Sequence, residues 1–502
     1  MSADDQRIPL PPLGGAEVAE AMLMPRDPDP ATPVEIAAPG APPVRSGPLL
    51  PMIIGSALFM QGLDSNIISN ALPAMADALG ESPVALNSII TAYLVAAAVF
   101  LPLCGWVADR FGARTVFRLA IAGFAFSSLL CGLAQTLPMM IGARILQGIA
   151  GAMMVPVGRI VLLRSIPRTE IVQAISWLTI PAVLGPVVGP PLGGFLVTAL
   201  SWHWIFLINV PIGVLGVVLA TRYVPDVRET VRDTLDLRGF LLMGLCLATL
   251  VFGFDNLGRN AMPPWQIGGL LATSVAAALL YWRHARRTEK PIVDFSLLRI
   301  PTFLASTAGG FFSRLIIGGM PFLLALLLQL GFGLSAFEAG LISLTGAVGA
   351  LAMKFVAQPI IRAFGFRTLL IANAVLLAGM TLVHMLFTPQ TPHAALIAAL
   401  LINGFFASML FSAINSLAFA DISAQRMSAA SSLSAMAQQV ALSMGVGIAA
   451  LALHYSLRWR GGALDAAAIR PAFAVLTLLS LVGIYFYMRL AKDAGDEVAG
   501  RG

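Results

Sequence analysis

From Pro48 onward the chain is a succession of apolar stretches separated by short polar connections, and this recurrence leaves few folds open. Fourteen stretches can be marked, at about 49–75, 86–108, 116–136, 138–163, 170–199, 203–221, 238–256, 264–283, 302–330, 335–358, 367–388, 393–418, 428–455 and 471–489. About 20 apolar residues suffice for a helix to cross a bilayer, so an all-α polytopic membrane protein of fourteen spans is the expected fold class. Of 502 residues, 58% are apolar and only 11% charged, against about a quarter charged in soluble domains. A water-soluble enzyme is thereby excluded. The net charge of +6 is scattered in short clusters and makes no continuous basic face for nucleic acid; its expected partner is anionic lipid. Cys104, Cys131 and Cys246 lie inside apolar runs at unrelated spacings, which suggests neither a disulfide framework nor a metal site.

Residues 1–47 are rich in Pro and Ala and hold no apolar run long enough for a cleaved signal, so a disordered tail is expected there. Basic loops stay cytoplasmic. With the N-terminus inside, the even-numbered connections hold Arg110, Arg114 and Arg118, then Arg159, Arg164 and Arg168, then Arg222, Arg228, Arg232 and Arg238, then Arg283, Arg286, Arg287, Lys290 and Arg299. The odd-numbered ones hold Arg259, Arg458, Arg460 and Arg470. Both termini are therefore expected in the cytoplasm. The runs 170–199 and 302–330 exceed one untilted crossing and must tilt, kink or extend beyond the bilayer. Charged stretches at Arg222–Arg238 and Arg283–Arg299 bracket the runs 238–256 and 264–283, dividing the chain six, two, six: residues 48–222, 223–300 and 301–490, with a cytoplasmic tail at 491–502. Phe111-Gly-Ala-Arg114 and Phe364-Gly-Phe-Arg367 each follow the second span of a six. Duplicated halves mark many secondary transporters.

Gly105-Trp-Val-Ala-Asp109-Arg110-Phe-Gly112-Ala-Arg114 combines a glycine for close helix approach, an acid able to pair or cap a helix, a turn glycine and two arginines that hold the loop inside. It resembles the loop signature of the major facilitator superfamily between spans 2 and 3. That resemblance implies two six-helix bundles, here with two inserted helices, and a latch at Asp109 and Arg114 that stabilises the outward-facing state. The second copy has Arg362 where the first has Asp109. In span 5, Gly185, Gly189 and Gly193 form a bare stripe that admits another helix, while Pro186 and its neighbouring prolines favour bends. The stripe resembles the superfamily's antiporter motif. Trp202-His-Trp-Ile-Phe-Leu-Ile-Asn-Val-Pro-Ile-Gly213 closely resembles the start of span 6 in fourteen-span drug/proton antiporters.

Charges at membrane depth cost about 2.5–3.5 kcal/mol each on insertion scales, which makes them functional candidates. Gln61, Asp64, Ser65 and Ser69 fall within an arc of roughly 140° on span 1. The segment Leu63–Pro73 is similar to the family's first-span signature, with Asn66 and Ser69 departing from it. Arg144-Ile-Leu-Gln147-Gly148 resembles its fourth-span motif. Asp64 lies roughly 22 Å along an outward-running span and Arg144 roughly 9 Å below the outer boundary of an inward-running one. The two are thus near one depth in the outer half of a layer about 30 Å thick. Either Asp64 binds the transported proton while Arg144 biases its affinity, or the two form a static ion pair. Arg314, roughly 18 Å into span 9, pairs with a carbonyl or polar neighbour, or contacts an anionic substrate or Asp64. Gln61, Gln147, Arg314, Asn403 and Asn415 are candidates for a substrate cavity, though such amides also bridge helices. Lys354 is expected to snorkel, and His384 to be structural.

No GxxxxGK[ST] loop and no HExxH helix occur, so neither ATP-driven pumping nor metalloprotease chemistry is expected. The expected function is proton-coupled export of a hydrophobic or amphipathic small molecule by a monomer in a bacterial inner membrane, with no cofactor beyond the proton. A symporter or uniporter of a polar metabolite and a non-transporting membrane sensor remain the other readings.

Overall fold

The computed structural model describes residues 47–68, 71–81, 83–225, 234–257, 262–334, 336–460 and 465–501. The tail up to residue 46, Ser69, Arg228, Arg232 and Arg259 lie outside them. Among the described residues, fourteen long helices follow the apolar runs. In the first half these are α1 (Leu49–Ile67), α2 (Pro83–Phe100), α3 (Ala113–Gly132), α4 (Leu137–Ser165), α5 (Ile171–Ala199) and α6 (Asn209–Tyr223). Two inserted helices follow, α7 (Leu237–Asn256) and α8 (Pro264–Ala285). The second half holds α9 (Gly310–Leu326), α10 (Ala336–Phe364), α11 (Phe366–Val383), α12 (His393–Leu417), α13 (Met427–Trp459) and α14 (Ala466–Met488).

Thirteen helices among the described residues are long and apolar enough to cross a membrane. The remaining one is α1, whose 19 residues include Gln61, Asp64, Ser65 and Asn66. Asp64 is buried and Gln61 and Asn66 are half-buried, while Ser65 is exposed and returns its hydroxyl to the Gln61 carbonyl. The run 49–75, expected as one span, is two helices: α1 ends at Ile67 and a short helix, Leu72–Leu79, starts with a proline in its first turn, a position proline favours. The long run near 302–330 is accommodated by irregular turns. Pro301–Leu304 leads into a π turn at Ala305–Gly309, α9 contains Pro321, and a second π turn closes it at Leu327–Gly331. By contrast α5 is one unbroken helix of 29 residues, about 43 Å long at 1.5 Å per residue.

The two halves repeat one packing plan. In the first, α1 lies on α5, α3 on α4 and α6, and α2 on α4; in the second, α9 lies on α13, α11 on α12 and α14, and α10 on α12. The repeated Phe-Gly turns adopt the same local form: Gly112 (φ 86°) opens α3 and Gly365 (φ 72°) opens α11. Side chains disfavour that left-handed region and glycine does not. Of the inserted pair, α7 packs on α2 of one half and α13 of the other.

Candidate functional site

The close approach of α1 and α5 sets the first part of the site. A Cβ on Gly185 would stand 2.7 Å from the Phe59 carbonyl oxygen, one on Gly189 3.2 Å from Asn66, and one on Gly193 2.7 Å from Ile67. The stripe thus receives α1 itself, and Pro186 fills the space beside Gly62. Residues 55, 62 and 67 meet residues 178, 186 and 193 in that order, so the two helices run in the same direction.

One turn along α1, Asp64 is fully buried and is held by three donors. Its Oδ2 accepts from Arg144 Nη1 at 2.6 Å, and its Oδ1 accepts from Gln147 Nε2 at 2.9 Å and Asn209 Nδ2 at 3.3 Å. Arg144, itself 1% exposed, also donates from Nε to the Ile89 carbonyl and lies over the Tyr93 ring, 4.6 Å from its centroid. Gln147 bonds Arg144 through its own carbonyl and donates to Ser128 Oγ at 2.7 Å. Gln61 donates to the Tyr93 hydroxyl at 2.9 Å. This network ties α1, α2, α3, α4 and α6 together. Among the described residues Asp64 is the one acidic residue that is fully buried. Such a pair adds little net stability, but removing either partner strands a buried charge, at a cost of about 3–5 kcal/mol.

The second part lies where the halves meet. Asp109 accepts from Arg164 Nη2 at 3.1 Å and from Ser428 Oγ at 2.6 Å, and Arg164 also donates to Ser428 at 2.9 Å. The Gly105 amide donates to Ser432 Oγ at 2.9 Å, Ser431 to the Pro156 carbonyl, and Arg168 to the carbonyls of Ala420 and Ile422. Arg114, expected as the basic member of this latch, is instead bonded to the Thr221 carbonyl within its own half. The turn at Gly112 directs it along α3 towards the end of α6, and Arg164, at the end of α4, stands at Asp109 in its place. Arg110 is exposed and lines a cavity of about 320 Å³ beside the contact, with Asp109, Asp236 and Lys290.

The other candidates divide. Arg314 donates to Asn415 Oδ1 at 3.3 Å, whereas Asn403 is buried with its Nδ2 unpartnered among the described residues. Lys354 does not snorkel: it is 6% exposed and donates to Ser412 Oγ at 2.7 Å, because α10 packs against α5 and α12. Arg159, read as a loop cation, is 4% exposed, since α4 continues past it to Ser165. His384 is buried between Phe387 and Phe473 and bonded to the Met380 carbonyl. Sequence reasoning passed over Tyr93, Ser128, Asn209, Arg164 and Ser428. Asn209, the polar residue opening span 6, was the one with a signal, being inside a recognised motif.

An all-helical, multi-pass membrane protein of duplicated halves, with a fully buried ion pair between Asp64 and Arg144, is built as a secondary transporter. Residues 54–446 match the family described as the Major Facilitator Superfamily. The chain belongs to that superfamily of membrane transporters and is not an enzyme. It is 39% identical over 401 residues to the putative multidrug resistance protein MdtD of Salmonella dublin, covering 80% of this chain and 85% of that one. It is 38% identical over 456 residues to the protein of the same name from Klebsiella pneumoniae, covering 89% and 95%. Among solved structures it resembles the human organic anion transporter MFSD10 (TM-score 0.64, 16% identity, covering 89% of this chain and 100% of that one). It also resembles the proton:xylose symporter XylE (TM-score 0.61, 15% identity, 88% and 95%).

Proposed function

We propose that this transporter is a proton-coupled antiporter that exports hydrophobic or amphipathic small molecules from the cytoplasm across the inner membrane. It works as a monomer with both termini inside and needs no cofactor beyond the proton. The observation that carries the proton role is Asp64: a fully buried acid bound by Arg144, Gln147 and Asn209, on the helix that receives the glycine stripe of α5. A proton arriving at this carboxylate cancels its attraction for Arg144 and frees both groups to rearrange, so occupancy by a proton and the conformation of the bundle are linked. Export of drug-like compounds is supported by the multidrug resistance names of the relatives. With the Asp109 end on the cytoplasmic side, the bonds from Asp109, Arg164 and Arg168 to the second half close the inner face, as in an outward-facing state.

The test is a set of energised inverted vesicles monitored for their pH gradient. Antiport predicts proton release when a transported compound is added, and none in Asp64→Asn vesicles containing equal amounts of protein. A pH change of opposite sign would establish symport, and a normal response from Asp64→Asn would remove Asp64 from the coupling role.

A further inference from the structure

Three buried cations converge on one face of α12, and none of the ion pairs among the described residues includes them. Arg159 comes from α4 in the first half. Its guanidinium carbon stands 5.8 Å from the centroid of Phe419, and its Nη1 is buried without a partner among the described residues. Arg314 comes from α9, with its guanidinium carbon 5.9 Å from the centroid of Phe411 and its Nε likewise buried and unpartnered. Lys354 comes from α10 and reaches Ser412. Phe411, Asn415 and Phe419 follow at four-residue steps, the last in the turn that closes α12, so they share one side of the helix. Arg159 and Arg314 thus reach this face from opposite halves of the chain.

Asp64 neutralises Arg144 and belongs to a separate network. The three cations facing α12 have no such acid among the described residues. A guanidinium taken out of water without a counter-charge is costly, and two arginines with unused donors present forks shaped for carboxylate or phosphate oxygens. Phe411 and Phe419 add apolar surface beside them.

We propose that this face of α12, with Arg159, Arg314 and Lys354, is the part of the substrate site that receives an anionic group, so that the transported compounds include organic anions carrying a carboxylate or phosphate. The inference rests on the export reading only in calling the ligand a substrate; the site and its charge preference stand on the geometry. Because Arg159 and Arg314 come from opposite halves, an anion held by both would also favour the conformation in which the halves approach at this level.

The probe set is phthalate, benzoate and benzamide, related rings that differ chiefly in charge, added to full-length protein in neutral detergent while thermal unfolding is followed. A ligand at free concentration L that binds the folded state stabilises it by RT ln(1 + L/Kd), so the midpoint rises once the concentration exceeds Kd. Phthalate and benzoate should raise the unfolding midpoint at concentrations at least tenfold below those at which benzamide acts. Arg159→Gln and Arg314→Gln should each weaken the phthalate response tenfold or more, while Arg159→Lys and Arg314→Lys retain most of it. No response to either anion, an equal response to benzamide, or an unchanged response in the glutamine variants would overturn the proposal. Nanodiscs of phosphatidylcholine with and without phosphatidylglycerol separate a substrate anion from a lipid headgroup. If phosphatidylglycerol alone gives the Arg159- and Arg314-dependent stabilisation and phthalate adds nothing, the substrate assignment fails. Proton release in the vesicle assay is scored separately on the wild type: its absence beside an intact phthalate shift fails the export reading alone, and its presence without a phthalate shift fails the anion site alone.

Discussion

The Ser428 hydroxyl donates to the Asp109 carboxylate at 2.6 Å across 319 residues of chain, and Arg164 donates to both. The loop motif of the first half therefore works on the second half, at the start of α13. A hydrogen bond to a charged group contributes about 1.5–3 kcal/mol, comparable with the few kcal/mol that separate the conformations of a two-state protein. One such contact therefore weighs on the balance between conformations, beside the other bonds that join the halves here.

Asp109→Asn removes the charge and keeps the shape. The closed arrangement at this end should lose about 1–2 kcal/mol, roughly a five- to thirtyfold change in its population. Spin labels on the ends of α4 and α13 would report this as a longer inter-half distance; an unchanged distance distribution would show that Asp109 does not control closure.

Asp64→Asn leaves Arg144 buried without a counter-charge, and folding stability should fall by about 3–5 kcal/mol. Asp64→Asn with Arg144→Gln removes both charges and should be more stable than Asp64→Asn alone. Thermal or denaturant unfolding of the four proteins in a double-mutant cycle measures the coupling. Additive effects would mean that the 2.6 Å contact is not an energetic unit.

Gly185→Ala tests the α1–α5 contact. The new methyl group would meet the Phe59 carbonyl at 2.7 Å and the Leu63 amide nitrogen at 2.8 Å, backbone atoms that cannot turn aside. Overpacking of this kind costs about 1–3 kcal/mol, and because Leu63 adjoins Asp64 the coupled proton release should fall with it. Gly194→Ala, where a Cβ would meet nothing within 4 Å, is the control, measured in the same unfolding and pH-gradient assays.

Asp236 makes acid stability testable outside the membrane. It caps α7 through the Gly239 amide at 2.9 Å and also bonds the Ile292 amide and His284. Burial works to raise its pKa, but these donors outweigh it and hold the carboxyl below its usual range. The stabilisation is thus present above the unfolded value of about 3.9 and is lost as pH falls through the lower folded value. Between pH 7 and pH 3 the wild type should lose stability that Asp236→Asn does not lose; at neutral pH that variant keeps a capping oxygen but loses the charge in these bonds, and should already be weaker by about 1 kcal/mol. Unfolding midpoints across the pH range decide it.

Much of the architecture was legible beforehand because lipid imposes a simple rule: a helix in hydrocarbon must be apolar along most of its length. Asp64 and Arg144 were legible for the converse reason, since a charge inside an apolar run needs an explanation. Asn209 and Tyr93 were harder to find, because an amide at a helix start and a tyrosine in a membrane helix are both ordinary. Arg159 shows the limit of loop counting: an arginine six residues from a helix end can reach headgroups or turn inward, and α12 and the residues after it decide which. Arg164 and Arg114 show another. The motif pointed to the arginine nearest in sequence, while the one on the neighbouring helix is nearest in space.

The sequence by itself determined the membrane fold and marked Asp64, Arg144 and Arg314 as charges at membrane depth, because both follow from local composition and period. Only the tertiary structure decided partners: Asp64 with Arg144, Gln147 and Asn209, Asp109 with Arg164 and Ser428, and Arg159 with the same face of α12 as Arg314. Pairing depends on helix rotation and on contact across chain separations of 55 to 319 residues, and neither is carried by the composition of any one segment.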